Sequence, residues 1–260
     1  MRMRLASAIV LSAMLAGVTL GCKTDQAARR AENIDKEEPP AAAAVDPAMA
    51  GIVSGTITYK GAPPQRIKID MSQDAQCAKA GDNLTEQYVV GKHGGLANVY
   101  VYVKAGLTPA KYPAKAEPVV LDQKGCRFIP HVIAVQTGEP VEIRNSDPTW
   151  HNVHPLPAVV KNAATDVMQM PMAGPQQLHF AEPELMLPLR CNYHPWMEAF
   201  VNVSATPFFA VTGEDGKFEI GGLPPGVYTI AAVHETMGEQ TVQVTVASQT
   251  TSKANFNYPQ

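Results

Sequence analysis

LRCNYHPWMEAFVNV, Leu189 to Val203, is the stretch on which the reading of this chain turns. It sets a thiol, an imidazole and a thioether at Cys191, His194 and Met197, a Cys-x2-His-x2-Met spacing that runs straight into an alternating apolar segment. Such alternation is the pattern of a half-buried β-strand, so the three donors belong to one short loop beside a strand. A thiolate and two imidazoles, with a thioether as a weak axial partner, make up the donor set that suits copper passing between its two oxidation states. One imidazole is missing from the loop, and the segment RNSDPTWHNVHP, Arg144 to Pro155, offers His151 and His154. Zinc fits less well, because structural zinc sites draw on several Cys and His. A Cys nucleophile activated by His needs an oxyanion-stabilising loop and a polar cleft, and no segment points to either. A lone Cys or Met is ordinary core material; the two separated motifs together favour a metal.

These motifs resemble those of the plastocyanin and amicyanin group of cupredoxins. HNVH begins at His151, 40 residues ahead of Cys191, and Pro195 follows the loop's His as in the short-loop members of that group. FIPHVIAVQTGEPVEIRNSD, Phe128 to Asp147, is similar to their second and third strands. The likeness spans roughly residues 117–204 and departs from the family at Arg190 and in the Met-rich MQMPM segment. It implies a Greek-key β-sandwich holding one type 1 copper through His151, Cys191, His194 and Met197, with His154 a non-ligand. Asn152 would hydrogen-bond across to the Cys-bearing loop, and His194 would show its edge to solvent within a collar formed by Pro195 and Trp196. Transient redox partners would dock there. The function implied is single-electron transfer, and with no second His cluster to serve as a reaction site, no enzymatic turnover is expected. A second reading, from another class, is a Cu(I) storage or copper-transfer protein of the cell envelope, using Met168, Met170 and Met172 with Met186 as a thioether cluster. His93, His131, His179 and His234 are isolated and read as surface or satisfied polar residues.

The chain has 260 residues, 24 acidic against 21 basic, so its mild negative charge suggests neither nucleic acid nor an anionic surface as partner. MRMR and the apolar run LASAIVLSAMLAGVTLG form a signal peptide over residues 1–21, and VTLGC resembles a bacterial lipobox ending at Cys22. Residues 22–50, charged and then rich in Ala and Pro, lack apolar periodicity and read as a flexible tether. The expectation is a lipoprotein on the periplasmic side of a bacterial membrane, the outer membrane favoured, with secretion to the periplasm as the other route. In that oxidising compartment paired thiols form disulfides, and Cys77 and Cys126 are the candidates once Cys22 and Cys191 have other roles; two buried free thiols are the alternative.

On either side of the copper-like segment lie further alternating runs that read as antiparallel β. IVSGTITYKG reads as one strand, RIKIDM from Arg66 to Met71 as a second, and GLANVYVYVKAG as a third; a short helix or loop surrounds Cys77. TGEDGKFEIGGLPPGVYTIAAVHE, Thr212 to Glu235, holds an Asp-Gly hairpin turn, a strand, a Gly/Pro turn and another strand, and a further strand covers Gln240 to Val246. DGKFEIGGLPPGVYTI resembles the carboxypeptidase regulatory-like, prealbumin-type β-sandwich, and GIVSGTITYKG its first strand. Neither flank alone has enough strands for two sheets. The expected organisation is therefore all-β: a discontinuous sandwich over 51–110 and 207–260, with a cupredoxin domain over 111–206 inserted in it. Two independent flanking pieces packed on the cupredoxin remain the alternative.

Overall fold

The computed structural model describes residues 40–42, 46–81, 83–162 and 165–259. The expected signal peptide, Cys22 and most of the expected tether lie outside the described residues. Within them the fold is an all-β sandwich architecture, whose helical element is a 3-10 turn, Cys77–Lys79. No helix among these residues is long and apolar enough to cross a membrane.

The strands gather around two hydrophobic cores. The first strands are β1 (Gly51–Lys60) and β2 (Tyr100–Ala105). Then come β3 (Val119–Gln123), β4 (Phe128–Ile129), β5 (Val132–Gln136), β6 (Val141–Asn145), β7 (His151–Pro155), β8 (Val167–Gln169), β9 (Gln176–Leu178), β10 (Glu184–Arg190) and β11 (Glu198–Ser204). The chain closes with β12 (Phe209–Val211), β13 (Lys217–Leu223), β14 (Gly226–His234), β15 (Gly238–Val246), β16 (Thr251–Lys253) and β17 (Phe256–Pro259). Strands β3 to β11 make an inner sandwich of two sheets, ordered β5-β11-β10-β7-β8 and β4-β3-β6-β9. The flanking strands make an outer one, with β13-β1-β16 and β17 also on β1 in one sheet, and β12-β2-β14-β15 in the other.

Period-two alternation drives both. In β11, Ala199, Val201 and Val203 point into the inner core beside Leu187 and Leu189 of β10, and each fully buried Val or Leu stabilises the fold by about 1.5–3 kcal/mol. The opposite face of β11 is buried as well: the Tyr100 hydroxyl of β2 hydrogen-bonds to Ser204, and Asn202 accepts the Met186 N–H, where the register of β10 shifts, at 3.0 Å. Strand β11 is thus buried on both faces.

Four expectations are corrected. Arg66–Met71 is not a strand; it carries a single bridge, Lys68 to Leu84. It belongs to a strap between β1 and β2 in which Met71 and Cys77 bury their side chains in the inner core, so residues 51–110 do not all serve the outer sandwich. Several pairs are parallel, β3 with β6, β5 with β11, and β1 with β16 and β17, because connections that cross between facing sheets return strands in the same direction. Asp215–Gly216 does not close a hairpin: β12 pairs with β2 and β13 with β1, so the turn passes the chain from one sheet to the other.

Candidate metal centre

Cys191 ends up beside β10's last residue, and the loop that follows is closed by its own backbone. The Met197 N–H donates to the His194 carbonyl at 2.9 Å and the Cys191 N–H to the Met197 carbonyl at 3.3 Å, with β10 and β11 paired just outside, Arg190 opposite Glu198. His151 is the first residue of β7, paired with Gln169 of β8 rather than free in a loop; β7 joins β10 through Leu189 opposite Pro155. This pairing carries one motif to the other. The Cys191 sulfur and one nitrogen each from His151 and His194 lie within 4.8 Å of one another, and all three side chains are buried. The Cys191 Sγ is 3.7 Å from His194 Nδ1, and the two Nδ1 atoms of His151 and His194 are 2.9 Å apart.

Charge in this cluster is unusual for a buried site. Burial alone pushes the Cys191 thiol up, yet hydrogen bonds from His151, His194 and the backbone N–H groups of Asn152 and His194 bring it down from 9.0 to about 6. His151 moves the opposite way: burial lowers it, but Asp147 and the Cys191 sulfur outweigh that and raise it. Both rings aim Nε2 outward at a carboxylate, His151 at Asp147 Oδ2 (3.0 Å) and His194 at Asp74 Oδ2 (3.3 Å). With both Nε2 atoms held by carboxylates, each ring turns Nδ1 inward, the two Nδ1 atoms beside each other and that of His194 beside the Cys191 sulfur. A thiolate with two imidazole Nδ1 atoms is the copper donor set, carboxylates behind metal-binding imidazoles fix their orientation, and the residues present fit that group.

The remaining expected residues fall around this cluster. Met197 is fully buried in the same core as Cys191. Asn152 bridges as expected: its Oδ1 accepts the Asn192 N–H at 2.6 Å, and its amide donates to Asp166. His154 turns away and pairs with Asn192 Oδ1 at 3.1 Å. Pro195 is exposed, and Trp196 is half-buried, donating its indole N–H to the Cys126 carbonyl at 3.1 Å with its ring 5.0 Å from that of His194. Cys77 and Cys126 form a disulfide, Cα atoms 5.5 Å apart; the groupings of Asp74 and Asp147 with these two cysteines therefore offer no free thiolate. The expected solvent-facing edge of His194 is not found: the residue is 4% exposed, because the strap lays Asp74 and Cys77 across it. Met168, Met170 and Met172 are exposed along β8 and the turn after it.

Sequence reasoning missed both carboxylates. Asp147 sits four residues ahead of His151 and could have been noticed by that spacing. Asp74 has no local signal, since it lies 120 residues from the ring it faces.

No curated protein matches the chain. Among solved structures, a Cu(I) form of an amicyanin variant is similar at 24% identity over 38% of this chain and 98% of that one, with a TM-score of 0.31. An oxidised amicyanin variant is similar at 25% identity over the same shares and TM-score. The copper-containing nitrite reductase of Thermus scotoductus is similar at 18% identity and TM-score 0.31 over 38% of this chain, which spans only 25% of that enzyme's length. The carboxypeptidase regulatory-like domain family matches residues 194–258, taking in β11 of the inner sandwich with β12 to β17 of the outer; this part of the chain is similar to that domain.

Proposed function

We propose that this protein is an exported, membrane-tethered type 1 copper protein that carries single electrons between redox partners and has no turnover of its own. The observation that carries the reading is the meeting of His151, Cys191 and His194 donor atoms within 4.8 Å from two motifs on different strands. Copper bound there supplies a one-electron redox couple. The chain's own residues do the rest. Cys191 is kept as a thiolate near neutral pH by donors from both rings and two backbone N–H groups. Asp147 and Asp74 hold the rings with Nδ1 inward. Asn152 ties the two ligand segments together, and burial of all three donors excludes bulk water.

Partners would meet the centre over Pro195, Trp196 and the exposed Tyr193, the loop's outer face. The alternative, a Cu(I) storage or transfer protein, draws support from the three exposed methionines at 168, 170 and 172. One titration separates the two. Copper added to the metal-free protein is expected to give an intense visible thiolate-to-Cu(II) band at one equivalent, absent in Cys191→Ser. Colourless uptake of several Cu(I) ions, unchanged in that variant, would point to storage and sink the electron-carrier reading.

A further inference from the structure

The outward edge of His194 is roofed by a segment that the chain supplies from the other sandwich. Asp74 stands in the strap between β1 and β2, and each of its oxygens is engaged. Its Oδ1 accepts the backbone N–H groups of Gln76 (2.7 Å) and Cys77 (3.0 Å). Its Oδ2 accepts the Thr149 hydroxyl (3.0 Å) and faces His194 Nε2 at 3.3 Å. An ordinary turn accounts for the first two contacts. It does not account for the last two, which reach both ligand-bearing segments at once: Thr149 is two residues before His151, and His194 lies on the Cys191 loop. The strap is pinned at this point. Cys77 is bonded to Cys126, and the Cys126 N–H donates to Asp147 Oδ2 at 2.7 Å, the same oxygen that faces His151. The disulfide thus ties the strap that carries Asp74 to the turn between β3 and β4, whose Cys126 N–H in turn holds Asp147.

We infer that Asp74 is a positioning residue for His194: by taking its Nε2–H it turns Nδ1 toward Cys191 and His151, and so makes a strap of the outer sandwich part of the metal centre in the inner one. The inference rests on the copper reading above. A carboxylate behind an imidazole increases the ring's basicity and fixes its tautomer, and losing such a partner typically weakens metal binding by about 10–100-fold. The more highly charged Cu(II) is affected more than Cu(I), so the midpoint potential rises.

The test uses the chain with its disulfide intact, comparing Asp74→Ala and Asp74→Asn with Asp70→Asn. Asp70 lies on the same strap, where its carboxylate accepts the Ser72 N–H. In Asp74→Ala, Cu(II) affinity measured against a competing chelator is expected to fall by about 10–100-fold, and the His194 Nε2–H resonance of the metal-free protein, assigned by its loss in His194→Gln, to exchange much faster. Asp74→Asn, which keeps an acceptor but not the charge, is expected to raise the midpoint potential, and Asp70→Asn to change none of the three. If the parent protein gives the visible copper band while Asp74→Ala keeps both parental affinity and parental exchange, the inference is overturned and the copper reading stands. If the parent gives no band, the copper reading fails first and takes the inference with it.

Discussion

At the scale of single residues, the centre is governed by who donates to Cys191. A thiol whose folded pKa lies near 6 against an ordinary 9.0 contributes stability that is present in full above pH 9.0 and is lost as pH falls through about 6. The metal-free protein is therefore expected to show thiolate ultraviolet absorbance that persists from alkaline pH down to about 6 and is missing from Cys191→Ser. A titration midpoint near 9.0 instead would mean that the two rings do not donate to the sulfur. The candidate donors were readable because their residue types and spacing are local: Cys191, His194 and Met197 span seven positions, and His151 heads a motif of its own. What lay beyond reading was the surroundings. Alternation and spacing carry no record of Asp74, which arrives through a tertiary path, nor of the burial of His194, which was expected at the surface.

At the scale of elements, the strands were legible wherever alternation coincided with a buried face, as in β1, β2, β11 and β14, but their partners and directions were not. Alternation in RIKID suggested a strand, yet Ile67 is 68% exposed and the segment meets residues 83–85 through the Lys68–Leu84 bridge, two backbone hydrogen bonds and the Arg66 guanidinium on the Thr85 and Leu84 carbonyls, too short a pairing to extend into a ladder. The glycines of GIVSG acquire a reason only in the structure. Strand β1 changes partner along its length, pairing with β16 up to Ser54 opposite Lys253 and with β17 from Ile57 opposite Phe256. Between these, the Ala254 carbonyl folds onto Gly55, where an added Cβ would lie 1.6 Å from its oxygen and 2.9 Å from Phe218. The obstacle is backbone, so the sheet must open to accept a side chain. Gly55→Ala is expected to lower unfolding stability by about 2–4 kcal/mol, on the scale of overpacking and strain. Gly221→Ala, with no atom within 4 Å of its added Cβ, is expected to stay within about 1 kcal/mol of the parent. Equal urea midpoints for the two variants would mean that β1 is not clamped between β16 and β17.

At the scale of the whole molecule, the presence of two cores could be anticipated, since the flanking motifs were each too short to close a sandwich and together made one. The way the cores are joined could not, because the joining residues come from distant positions with no motif of their own. His131, just ahead of β5, is the clearest of them. Its Nδ1 meets the Glu198 carbonyl at 3.2 Å and its Nε2 meets Glu235, beyond β14, at 3.1 Å; the two side chains are 6% and 3% exposed. Burial disfavours the charged ring, but the Glu235 carboxylate outweighs it, and the His131 pKa is raised above 6.5. A raised histidine pKa contributes stability that is complete below its unfolded value and is lost as pH climbs through the folded one. The inner and outer sandwiches should accordingly be bound together more tightly on the acid side of that transition. Glu235→Gln removes the carboxylate that holds the proton while retaining an amide able to hydrogen-bond, so the difference in thermal stability between parent and variant is expected to be largest below pH 6.5 and to shrink as pH rises above it. A difference that stays constant across this range would mean that the His131–Glu235 contact joins the sandwiches as a neutral hydrogen bond, and that the ion pair plays no part in holding the outer sandwich against the inner sheet that contains β5.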